Sequence, residues 1–138
     1  MNIILWKEAI LQNISLYNES ISHQEYSVSI ASSSDQKLIR KTNLKQLQAQ
    51  KATLICLHNL NHTEASKWLE KVKKHSLKEM EILEINQTYI IHSIDDGKIC
   101  IKEHGYIKRC KDIQMAIDNL SEMIEQLKSR NYLHKPTN

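Results

Sequence analysis

The chain has 138 residues, 41% hydrophobic and 25% charged, with a formal net charge of +3. That size and balance describe one globular domain, 1–130 with a polar tail at 131–138, and exclude wholesale disorder. No segment approaches the roughly 20 continuous apolar residues of a membrane span, and Lys7 and Glu8 interrupt the apolar start in a way that does not suit a secretory signal.

Residues 3–19 read as a helix, with Trp6, Ile10, Ile14 and Tyr17 at helical spacing. At 25–31 the period changes to two, Tyr26, Val28 and Ile30 alternating with serines, which predicts a half-buried strand. Ser32–Asp35 is a turn or short loop, and 37–42 reads as a return strand in preference to the first turn of a helix. Helical spacing resumes from Asn43 to about Leu60. Asn61 and Glu64 stand as an N-cap and its capping-box partner for a helix with Ala65, Trp68, Leu69 and Val72 on one face.

Residues 81–94 and 98–102 read as strands joined by a hairpin turning at Asp96-Gly97, since glycine tolerates the positive φ of a primed turn. A short third strand follows Gly105. Ile113, Ile117, Leu120, Ile124 and Leu127, stepping by 4, 3, 4 and 3, make 111–130 the surest helix. The expected architecture is therefore α+β: a small antiparallel sheet packed with about four helices, in the order α-β-β-α-α-β-β-(β)-α.

Little chemistry is legible. No glycine pair builds a phosphate loop, so no cofactor is expected. Cys56, His58 and His62, or Cys100, His104 and Cys110, lack paired metal-ligand spacing. Cys110, between Arg109 and Lys111 before a predicted helix, has the setting of a lowered thiol pKa but no assembled triad. Three cysteines without framework spacing fit reduced thiols in a cytosol. The sequons at Asn13, Asn18, Asn61 and Asn86 are then silent. Nineteen isoleucines, two valines and no phenylalanine are the codon bias of an AT-rich genome, as in many bacteria and viruses.

Charge is uneven. Residues 35–78 hold ten Lys/Arg against three Asp/Glu, and the remainder is mildly acidic. The first expectation is a non-enzymatic module that binds a protein partner as adaptor, chaperone or inhibitor, with Trp6, Tyr17, Ile124 and Leu127 as anchors or as a homodimer contact through the C-terminal helix. The second is a nucleic-acid binder. Residues 43–102 have spacing that resembles a helix-turn-helix with a wing, and Lys67, Lys71, Lys74, Lys98 and Lys102 would meet the phosphates.

Overall fold

The structure, a computed structural model, describes the backbone of residues 2–93 and 96–130 and the side chains of residues 2–82 and 110–130. The described residues form four α-helices and no strand: α1 (Ile3–Ser29), α2 (Ser34–His58), α3 (His62–Ser93) and α4 (Asp96–Ser129). The α+β expectation is overturned. The predicted strands at 25–31 and 37–42 belong to α1 and α2, those at 81–94 and 98–102 to α3 and α4, and Asp96-Gly97 opens α4 instead of turning a hairpin.

Local signals account for each start. Asn2 caps α1, its side-chain oxygen accepting from the amides of Ile4 and Leu5 at 3.0 and 3.2 Å. Ser33 caps α2 by accepting from Gln36 at 3.1 Å, while the Gln36 side chain accepts from the amide and hydroxyl of Ser32. That is a variant of the capping box, with the return bond shifted one residue outward. Asn61 caps α3 as the sequence suggests, accepting from the Glu64 amide at 3.1 Å. The Glu64 carboxylate turns to Lys67 instead of closing the box.

The α2–α3 reversal is a Schellman turn. The Asn61 amide reaches the Cys56 carbonyl and the Leu60 amide the Leu57 carbonyl, each at 2.9 Å. The pivot is Leu60 at φ 58°, a left-handed conformation that usually falls to glycine. A β-carbon there costs about 1–2 kcal/mol, offset in part because Leu60 packs on the core.

Contacts fix the arrangement. Asn43 and Gln46 of α2 meet Glu79 of α3, beyond the turn at 59–61, and Tyr17 and Gln24 of α1 meet Gln50 and Arg40 of α2, so α1 and α3 both run antiparallel to α2. Among the described residues the backbone of α2 runs close to all three other helices, that of α3 to α2 and α4, and that of α1 to α2 alone. The apolar core gathers Ile10, Leu54, Leu57, Ala65, Leu69, Val72, Leu120, Ile124 and Leu127 near the α2–α3 turn. No helix among the described residues is long and apolar enough to cross a membrane.

Candidate functional site

α2 runs between two grooves of opposite chemistry. Lys45 and Leu54 are nine residues apart, about 180° around a helix of 3.6 residues per turn, and each lines one groove.

The first groove lies between α1 and α4, whose backbones stand apart among the described residues. It encloses about 300 Å3 and is lined by Tyr17, Leu54, Ala116, Leu120, Met115 and Met123, with Asn13, Asp112 and Asn119 at its polar edge. Met115 is 58% exposed. The outer side of α1 adds exposed Ile4, Leu5, Leu11 and Leu16.

The second groove, also about 300 Å3, lies between α2 and α3 and is lined by Leu38, Lys41, Thr42 and Lys45 from α2 and by Lys74, His75 and Lys78 from α3. Glu64 and Glu70 are already held by Lys67 and Lys73, each at 3.1 Å. The four groove lysines are exposed and have no ion pair among the described residues. Partial burial first, and then Lys45, Lys74 and Lys71, push the His75 pKa below the usual imidazole value.

A buried hydrogen-bond ladder crosses from one groove toward the other. The Tyr17 hydroxyl donates to Gln50 Oε1. Gln50 Nε2 donates to Gln46 Oε1 at 2.6 Å, and Gln46 Nε2 to Glu79 Oε1 at 2.7 Å. Asn43 Nδ2 also donates to Glu79 Oε1, at 3.3 Å. Every donor in the chain points toward the carboxylate, so successive dipoles reinforce one another around the buried charge. Burial pushes the Tyr17 phenol pKa up.

A wider depression of about 630 Å3 follows α1, lined by Ser15, Asn18, Glu19, Ser22, His23 and Tyr26, with no converging reactive groups among them.

The residues expected to bind scatter. Trp6 and Tyr17 are half-buried against the core. Ile124 and Leu127 are core side chains, 4% and 0% exposed, so the stripe of α4 faces its own bundle. Lys67, Lys71 and Lys74 do share the exposed side of α3, but Lys67 is paired with Glu64 and Lys71 lies 4.1 Å over the Trp68 ring. The side chains of Lys98, Lys102, Cys100 and His104 lie outside the described residues, as does the tail 131–138.

The winged form of the second expectation fails with the sheet. A helix-turn-helix crosses its helices at about 90–120°, whereas α2 and α3 lie side by side in antiparallel register. Cys110 stands deep inside α4, far from the helix start that was to lower its pKa. Burial, and then Glu64, push the Cys56 thiol up. No group of three metal-binding side chains forms among the described residues.

Lys41 is hidden in sequence because 37–42 reads as a return strand, and Lys45, on the predicted helix 43–60, because nothing in the sequence sets that helix beside Lys74 and Lys78. The Ser33-x-x-Gln36 cap would have started α2 early and placed Lys37, Lys41 and Lys45 on one face. Comparison of the chain with protein-family models, curated proteins and solved structures gives no match.

Proposed function

We propose that this chain is a non-catalytic recognition module of a reducing cytosol, and that it binds another protein by seating one amphipathic helix of that partner in the α1/α4 groove. The supporting observation is the groove itself: two helices whose backbones stand apart flank an apolar floor of Leu54 and Leu120. An apolar cleft walled by two helices suits the helix-in-groove mode of recognition. Met115 and Met123 supply side chains that adapt to the incoming surface.

The charges near the groove select the occupant. Asp112 lies on its edge, and Asp118 and Glu122 are exposed on the same helix, so basic residues beside the partner's apolar stripe would be steered in.

A photo-crosslinking residue at position 115 tests this in cells. The expected adduct maps by mass spectrometry to an amphipathic helical segment carrying Lys or Arg, and Asn119→Arg abolishes it. No adduct, or the same adduct from position 70 on α3, overturns the proposal.

A further inference from the structure

We infer that the lysine groove between α2 and α3 is a second, independent binding site, one that takes the phosphate backbone of a nucleic-acid duplex without reading its sequence. Lys41 and Lys45 stand one helical turn apart on α2, and Lys74 and Lys78 one turn apart on α3, so two helices present facing pairs of cations across a single cleft. Along α3 the cationic face continues through Lys71, over the Trp68 ring, to Lys67, whose charge is shared with Glu64. From Lys67 to Lys78 this side runs about 16 Å at 1.5 Å per residue, the length of about five phosphates on one duplex strand at 3.4 Å each. An elongated cationic track fits a polymer of phosphates better than a single small anion.

The residue types choose among polymers. Lysine meets phosphate as a point charge and does not make the bidentate contacts by which arginine reads guanine. The groove lining holds no Arg, Asn or Gln to read a base edge. Single strands are recognised largely by stacking on aromatic faces, and the nearby candidate, Trp68, is half-buried and has the Lys71 ammonium 4.1 Å above its ring. What remains is contact with a duplex backbone. Two of the groove cations, Lys45 and Lys74, stand close enough to His75 to help burial hold its pKa down, and neutralisation by phosphate would relieve that repulsion.

The test is fluorescence anisotropy with a labelled DNA duplex of arbitrary sequence, measured at low and physiological salt. The wild-type chain is expected to bind with affinity that falls steeply as salt rises and does not depend on sequence. Replacing Lys41, Lys45, Lys74 and Lys78 together by Gln should weaken binding at least about a hundredfold and flatten the log–log salt slope by about 3–4, at roughly 0.9 per phosphate contact.

A charge-matched variant with Lys7, Lys111, Lys128 and Arg130 changed to Gln should bind like wild type, and circular dichroism should confirm that both variants are folded. Equal losses in the two variants, or a wild type that does not bind, overturns the proposal. So does stronger competition from poly-glutamate, or from phosphatidylserine-containing vesicles, than from unlabelled duplex. None of these results bears on the α1/α4 groove.

Discussion

The bundle is built differently toward its two ends. Near the α2–α3 turn its interior is hydrocarbon: Leu57 and Leu127 are 0% exposed, and Leu69, Val72, Leu120 and Ile124 surround them. Toward the N-terminus of α2 the interior positions are filled by Thr42, Gln46, Gln50, Ser76 and Glu79, all buried. Thr42, Thr53 and Ser76 satisfy their hydroxyls on the carbonyl four residues back, and the amides join the ladder to Glu79. One end is held by area removed from water, tolerant of exact geometry. The other is held by directional bonds that permit few registers, and it fails if any partner is left unpaired.

Breaking the hydrocarbon end should cost most. Leu57→Ala is expected to lose about 2–5 kcal/mol in chemical denaturation, the usual toll of a fully buried leucine that leaves a cavity. Breaking the polar end comes next. Gln46→Leu removes the donor to Glu79 and the acceptor of Gln50, for an expected loss of about 1–3 kcal/mol. A double-mutant cycle with Glu79→Leu should then show coupling above about 0.5 kcal/mol, because replacing both partners spares the survivor an unmet bond. Additive losses would show that the ladder is not a unit.

A smaller effect should appear as pH dependence beside the polar end. His75 is faced by Lys41 and Lys45 from α2 and by Lys71, Lys74 and Lys78 from α3. Its folded pKa lies below the unfolded value, so the unfolded chain takes up the proton first as pH falls. Stability is unaffected well above the ordinary value of about 6.5 and declines below it. His75→Gln should remove that part of the acid-side decline in urea titrations run on either side of pH 6.5.

Least affected should be the turn. Leu60→Gly is expected to stay within about 1 kcal/mol of wild type, since relief of the left-handed strain offsets lost packing. A loss as large as that of Leu57→Ala would place Leu60 fully in the core.

The same contrast explains what the sequence revealed. Helices 62–74 and 111–130 were legible because their buried positions are apolar, so the 3-4 spacing of Leu69 and Val72, or of Ile117, Leu120, Ile124 and Leu127, shows on inspection. Where burial passes to Ser76 and Glu79, the period vanishes from a hydropathy reading although the helix continues unbroken.

At 25–31 the alternation misleads because seven residues hold a single heptad, too few to tell a period of two from one of 3.6. Tyr26 and Ile30, which made the alternation, are 65% and 55% exposed, while the inward side of α1 runs through Ile14, Tyr17, Ile21, Gln24 and Val28. The absence of glycine and proline between residues 3 and 29 was the better guide. The grooves were out of reach altogether, since each draws its lining from helices whose pairing only the antiparallel packing settles.

A helix that leans on one neighbour can let go without dismantling the others. α1 comes nearest to that among the described residues: its backbone approaches α2 alone, held by the clasp of Gln24 and Arg40, while Trp6, Ile10, Ile14 and Tyr17 pack on the shared core. Swinging it outward would leave the interlock of α2, α3 and α4 in place, strip one wall from the apolar cleft and remove the phenol that starts the relay to Glu79. The four-residue tether at 30–33 makes the first helix a detachable arm, with the other three as its frame.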